Sequence, residues 1–203
     1  NQIYLETLKS YSRLAITNGC HSLFFPGGTR SRSGGLETKL KLGLLGTAME
    51  AQLLNFQRDG KNAKKVFVLP LVISYHFVLE AASLMEEYLK STGREKYYIE
   101  NDQFSSIYKI LSFLWDFFGR GSEISLSLGK PMDLFGNYVD EDGRSFSASG
   151  TEINVQDYFI TGGDLKAVPQ RDAEYTRILG NKIVEEYFKF NIVFSSHLVA
   201  FTA

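Results

Sequence analysis

Chemistry in this sequence is concentrated in Phe24-Phe25-Pro26-Gly27-Gly28-Thr29-Arg30-Ser31-Arg32-Ser33-Gly34-Gly35. Arg30 and Arg32, one residue apart, supply planar guanidinium forks, and Thr29, Ser31 and Ser33 supply hydroxyls. Glycine pairs on both sides let the backbone turn tightly and approach a ligand closely. Guanidinium, hydroxyl and free backbone N–H groups all donate hydrogen bonds, and together they suit an anion such as a phosphate. The candidate phosphate-binding residues are therefore Gly28, Thr29, Arg30, Ser31 and Arg32. The competing reading is a solvated surface loop. Generic patterns do not decide between the two, because the stretch holds neither Gly-x4-Gly-Lys-Ser/Thr nor Gly-x-Gly-x-x-Gly. The Arg-Ser repeat is also too short for an RNA-binding tract.

Such a loop needs an element on each side to hold it. Residues 22–25 predict the end of a buried strand, stopped by Pro26, which has no N–H for a ladder. Upstream, Leu5, Leu8, Ser12 and Ala15 predict an amphipathic helix over 3–18, and Asn18-Gly19 is a helix stop. Downstream, Leu42, Leu45, Met49, Leu53 and Phe56 predict a helix over 39–58. Gly43 and Gly46 cost that helix about 1 kcal/mol each relative to alanine. Small residues on adjacent turns predict the close approach of another element. Lys39 and Lys41 lie near its start, where a cation opposes the helix dipole. A surface role is the simpler reading of Lys41.

The apolar run 66–73 is broken by Pro70 and predicts a strand buried on both faces, as in a parallel sheet. The proline marks a strand end or bulge opening toward a site. Helices are predicted over 77–90 and 171–190, with a further short apolar segment over 192–201. Residues 123–129 alternate with the period of a half-buried strand. Residues 104–118 are unusually aromatic and contain a single basic residue, Lys109. That stretch suits core packing, or a membrane surface or acyl chain. Residues 135–164 read as a long loop.

Composition bounds the partners. At 203 residues the chain is one domain or part of one. A net charge of −1 gives no field that would favour nucleic acid. One cysteine, Cys20, excludes an internal disulfide and reads as a small buried hydrophobe. No stretch reaches the roughly 18 apolar residues of a membrane span, and the N-terminus lacks a signal pattern. His21 has no neighbouring acid in sequence and reads as structural.

Residues 25–34 resemble the third conserved block of the glycerolipid acyltransferases, of the form Phe-Pro-Glu-Gly-Thr-Arg-Ser. The extension Ser31-Arg32-Ser33-Gly34 is more similar to the glycerol-3-phosphate acyltransferase branch than to the lysophosphatidate branch. Gly27 stands where that family usually has glutamate, so the carboxylate expected at the acceptor site is missing from the motif. Val68-Leu69-Pro70-Leu71-Val72-Ile73-Ser74-Tyr75 resembles the fourth block, which in the family lies along the acyl donor's path. The resemblance implies a donor site at Leu69, Pro70, Ile73 and Tyr75. Gly129-Lys130-Pro131 resembles the Gly-x-Pro turn that follows in many members.

The resemblance implies an α/β fold with a mixed, largely parallel sheet flanked by helices. It implies transfer of a fatty acyl group from a thioester to glycerol 3-phosphate, in phospholipid synthesis. The donor is acyl-coenzyme A or an acyl carrier protein as co-substrate, with no metal or cofactor. It further implies a peripheral position on the cytoplasmic side of a membrane. Other readings of the same residues are a lysophosphatidate or other lysolipid acyltransferase, or a non-catalytic module binding anionic lipids. The family's catalytic block is a histidine with an aspartate five positions on. Five positions beyond His21, His76 and His197 stand Pro26, Ala81 and Thr202. The chain is therefore expected to be the C-terminal part of a single acyltransferase domain, covering 1–203, with the catalytic block upstream.

Overall fold

The computed structural model describes residues 2–27, 35–75, 89, 115 and 124–202. They fall into two compact units, one of Asn1–Thr29, Glu37–Leu71 and Leu128–Lys189, the other of Arg30–Leu36, Val72–Ser127 and Phe190–Ala203. Helix α1 spans Gln2–Thr17 and α2 spans Gly43–Asp59. Strands β1 (Leu71–Tyr75) and β2 (Ile124–Leu128) pair with each other. Then come β3 (Tyr138–Val139), β4 (Ser145–Phe146), β5 (Glu152–Ile153), a 3-10 turn at Val155–Phe159, β6 (Ile160–Thr161) and β7 (Asp164–Leu165). Helix α3 spans Pro169–Phe190 and α4 spans Ser195–Thr202.

In the first unit α1 ends where Asn18-Gly19 predicts. Gly19 takes φ 83°, its N–H donates to Ile16 O at 2.9 Å, and Cys20 N–H reaches Ala15 O at 3.0 Å. That pair of bonds satisfies carbonyls the helix leaves open, and only glycine adopts the φ without strain. Cys20 is then carried out of the helix and is exposed, not buried as its residue type suggests.

Helix α2 starts at Gly43, four residues later than its apolar pattern predicts, and buries Leu45, Met49, Leu53 and Phe56. The two glycines do not mark unusually close approaches, since a side chain at either would meet its neighbour at ordinary van der Waals distance. A Cβ on Gly43 would lie 3.7 Å from Lys9 of α1, and one on Gly46 would lie 4.0 Å from Thr176 of α3. The α1–α2 contact is polar as well as apolar, with Ser12 Oγ 2.9 Å from Thr47 Oγ1 and Arg13 donating to Glu50 at 3.0 Å. The core continues through Met132, Leu134, Phe135, Val155, Phe159, Leu179 and Ile183. Phe135 stacks on Tyr158 with centroids 4.2 Å apart and meets Phe159 and Tyr175 edge-on. Each such large apolar side chain contributes roughly 1.5–3 kcal/mol on burial.

The described residues mix helices with small sheets. The β3–β4, β4–β5 and β6–β7 ladders are antiparallel, as are the Val68–Met132 and Met132–Tyr138 bridges. A largely parallel sheet is not seen among the described residues. Nor is the run 66–73 buried on both faces or strand throughout: Phe67 and Leu69 are exposed at 43% and 50%, and β1 begins only at Leu71. Residues 22–25 form no strand; Phe24 packs on the core while Leu23 and Phe25 are exposed. Residues 135–164, expected as a long loop, hold β3 to β6 and the 3-10 turn. Gly143, Gly150, Gly162 and Gly163 take positive φ at the turns, as tight hairpins require. The helix expected over 77–90 and the aromatic stretch 104–118 lie outside the described residues, apart from Leu89 and Trp115, both helical and exposed.

Buried Glu186 on α3 ties the Gly129-Lys130-Pro131 turn to β3. Its carboxylate accepts from Lys130 N at 3.2 Å, Tyr138 OH at 3.1 Å and Lys189 Nζ at 2.7 Å. Burial pushes its pKa up, but these hydrogen bonds together outweigh burial and hold it below the ordinary value of 4.5. A depressed carboxylate pKa stabilises the fold above its unfolded value, and that stabilisation is lost as pH falls through the folded value. At pH 7, Glu186→Gln should therefore lower unfolding free energy by about 1–2 kcal/mol. The gap should narrow at acid pH, below the ordinary carboxylate value. Urea titrations at both pH values test this, and a gap that does not change with pH removes the charge from the explanation.

Candidate functional site

The candidate phosphate residues Gly28, Thr29, Arg30, Ser31 and Arg32 lie outside the described residues. The segments that enter and leave this stretch are described. Pro26-Gly27 forms a turn, and Lys41 N–H donates to Pro26 O at 2.7 Å, so the returning segment is pinned to the departing one. Lys39 and Lys41 are exposed and precede α2 rather than lying inside it.

Gly27 is not required by backbone conformation. It is absent from the positive-φ glycines. A Cβ built there would meet Glu37, with Cδ at 2.8 Å, Cγ at 3.0 Å and Oε2 closer still. The Glu37 carboxylate thus occupies the position a side chain at residue 27 would take. Its other oxygen, Oε1, accepts from Lys39 N at 3.4 Å, which holds the head group from its own side of the loop. The phenol of Tyr187, on α3, has its pKa raised by burial and by the Glu37 charge, which places that charge close to the α3 surface. Nothing in the local sequence singles out Glu37. The available signal was the missing acid at position 27 and an acid ten residues on.

The candidate donor residues divide by burial. Pro70 is buried, and Leu69 is half exposed at 50%. Pro70 stands just before β1, at the strand end where a proline is tolerated. Its carbonyl accepts Gly129 N–H at 2.8 Å, and a Cβ on Gly129 would lie 3.1 Å from Pro70 Cβ and 3.4 Å from that of Glu186. Glycine at 129 lets the Gly-Lys-Pro turn close on Pro70. Upstream, Gln52 and Asn55 of α2 fix the approach to this strand. Val66 N–H donates to Gln52 Oε1 at 2.6 Å, and both side chains donate to Lys64 O.

In the second unit β1 alternates. Val72 and Ser74 are buried, Ile73 is half buried and Tyr75 is exposed at 41%. The buried side is closed by the C-terminal segment. Ser74 Oγ donates to Asn191 Oδ1 at 3.2 Å and accepts from Ile192 N at 3.4 Å. His197 Nε2 lies 2.9 Å from Tyr75 O, which makes that histidine a structural tie. On β2, Ile124 and Leu126 face outward at 53% and 65% exposure. The alternation of this strand was legible, but its apolar side is uncovered among the described residues.

His21 is exposed, and His76 lies outside the described residues. No group of three or more His, Cys, Asp or Glu side chains among the described residues is placed to hold a metal ion. No helix among them is long and apolar enough to cross a membrane.

No family model and no solved structure matches the chain. Three curated proteins do, each called glycerol-3-phosphate acyltransferase. The one from Pseudoalteromonas atlantica is 28% identical over 142 residues, 70% of this chain and 15% of that protein. The one from Alteromonas mediterranea is 30% identical over 128 residues, 63% of this chain and 14% of its own length. The one from Aeromonas hydrophila is 29% identical over 141 residues, 70% of this chain. The chain thus spans about 15% of the length of the curated relatives it matches.

Proposed function

We propose, on the premise that this chain belongs to the glycerol-3-phosphate acyltransferase family, that it is part of an enzyme acylating glycerol 3-phosphate. In that reaction a hydroxyl oxygen of the acceptor attacks the thioester carbonyl carbon. The carbon–sulfur bond breaks, and the hydroxyl proton ends on the departing thiol. The reaction needs a base, a phosphate clamp and an apolar slot. This chain contributes the clamp, at residues 28–32, and the slot, along Leu69, Pro70, Ile73 and Tyr75. The base is a histidine–aspartate pair elsewhere in the whole protein. Covering about ten acyl methylenes at roughly 0.8 kcal/mol each supplies on the order of 8 kcal/mol of gross donor binding. The donor is acyl-coenzyme A or an acyl carrier protein, and no metal or redox cofactor takes part.

One observation carries the reading. Likeness to proteins of that name extends over as much as 70% of the chain. Transfer of labelled acyl groups from acyl-coenzyme A to glycerol 3-phosphate by the full-length protein tests it directly. Transfer to a lysolipid but not to glycerol 3-phosphate reassigns the acceptor.

The enzyme acts at a membrane surface, because its product must leave into lipid and the exposed apolar residues Tyr75, Ile124 and Leu126 suit an acyl chain or interface. High salt or alkaline carbonate should release the native protein from membranes. Retention in the pellet after both washes contradicts a peripheral attachment.

A further inference from the structure

We infer that Lys130 and Lys189, held beside Tyr138 by the buried carboxylate of Glu186, form a binding site for the phosphate groups of coenzyme A. The inference rests on the acyltransferase reading above and gives its donor a polar anchor. All of these residues belong to the first compact unit. Both oxygens of Glu186 are engaged. Oε2 accepts from Lys130 N at 3.2 Å, and Oε1 accepts from Tyr138 OH at 3.1 Å and from Lys189 Nζ at 2.7 Å. Lys189 Nζ also donates to Tyr138 OH at 3.2 Å. The Lys130 ammonium lies 5.3 Å from the centre of the Tyr138 ring, and that of Lys189 lies 6.0 Å from it. Two cations thus border one ring.

The two lysines differ in what balances them. Lys189 is paired with Glu186, and its hydrogen bonds to Glu186 and Tyr138 push its pKa up, so it stays charged. The Lys130 ammonium has no carboxylate partner among the described residues; it meets the Tyr138 ring instead. Its backbone is fixed by Glu186 and its tip by the ring, so little further ordering is needed to bind a ligand. Both lysines are exposed, whereas Glu186 is buried beneath its donors. The accessible side of the cluster is therefore cationic. A phosphate ester supplies the missing anion, which a lysine meets as a point charge.

Position selects which phosphate. Lys130 follows Gly129, whose N–H donates to Pro70 O at 2.8 Å, and a Cβ on Gly129 would lie 3.1 Å from Pro70 Cβ. Pro70 and the half-exposed Leu69 belong to the proposed donor slot. Fixed cations bordering an apolar slot match a donor that is apolar at its acyl end and phosphorylated at its carrier end. Two ammonium groups around one ring are sized for a phosphate group, not for the surface of a carrier protein.

The test uses the full-length protein. Dissociation constants for decanoyl-coenzyme A and for decanoyl-pantetheine, which has the thioester arm without the phosphates, are measured for the parent, Lys130→Ala, Lys130→Arg and Lys166→Ala. Thermal unfolding of each checks the fold. Lys130→Ala should weaken decanoyl-coenzyme A by about tenfold, and by more at low salt than at high salt. Decanoyl-pantetheine should change by under about twofold. Lys130→Arg should keep most of the affinity. Lys166→Ala removes an exposed lysine elsewhere in the same unit and should leave both ligands within about twofold. Equal weakening of both ligands by Lys130→Ala, no weakening of either, or an equal effect of Lys166→Ala overturns the inference. A parent that binds decanoyl-acyl carrier protein but not decanoyl-coenzyme A overturns it too, and leaves the acyltransferase reading standing. A parent that binds decanoyl-coenzyme A through Lys130 but acylates no glycerol 3-phosphate keeps the inference and overturns the acceptor reading.

Discussion

Replacing Arg30 by alanine in the full-length protein should raise the apparent KM for glycerol 3-phosphate by about tenfold to a thousandfold, while the acyl-donor KM moves by no more than about twofold. Arg30 follows the turn glycines and sits between Thr29 and Ser31. Its planar fork can engage two phosphate oxygens at once, whereas lysine offers a point charge. Each hydrogen bond to a charged group contributes roughly 1.5–3 kcal/mol, and losing one or two gives the stated range. Arg30→Lys should also fall well below the parent, because the fork geometry and not only the charge is lost. Arg32 contributes as the second member of the pair. Steady-state kinetics with each substrate varied in turn separate the outcomes. Equal loss for donor and acceptor means that Arg30 meets the donor's phosphates or supports the fold. No loss returns the loop to a solvated surface turn.

The isolated 203-residue chain should transfer no acyl group measurably. None of its three histidines has an acid five positions on, and His197 is engaged with the Tyr75 carbonyl. A general base typically contributes about 10²–10⁴-fold in rate, and losing its whole supporting segment removes more. Purified chain incubated with labelled acyl-coenzyme A and glycerol 3-phosphate provides the assay, beside a full-length relative. Turnover within about tenfold of that relative would mean that another group in this chain acts as the base. Binding of anionic lipid without turnover by the full-length protein favours a non-catalytic module.

The helices were legible because their apolar positions repeat with the helical period. Leu45, Met49, Leu53 and Phe56 lie on the buried side of α2, and Leu179 and Ile183 on that of α3. The sheet was less so. Strands of two residues, such as β3 to β7, are too short to show any period, although Asp142-Gly143, Ser149-Gly150 and Gly162-Gly163 are turn signals. The unpaired course of 22–25 shows that an apolar run needs a partner before it becomes a strand. The candidate phosphate segment rests on residue type alone and lies outside the described residues. The contact of Glu37 with Gly27 was not legible, because a contact between positions ten residues apart leaves no periodic trace.

The outward turn of Cys20 offers an optical handle. It is the chain's one thiol, it is exposed, and it lies ten residues before Arg30. The helix stop at Gly19 anchors its backbone on one side, and Phe24, a few residues on, is packed on the core. A maleimide fluorophore attached there sits on a fixed base, ten residues before Arg30 in sequence. Its emission, followed as glycerol 3-phosphate or inorganic phosphate is added, reads binding in a way that depends on neither catalysis nor a membrane.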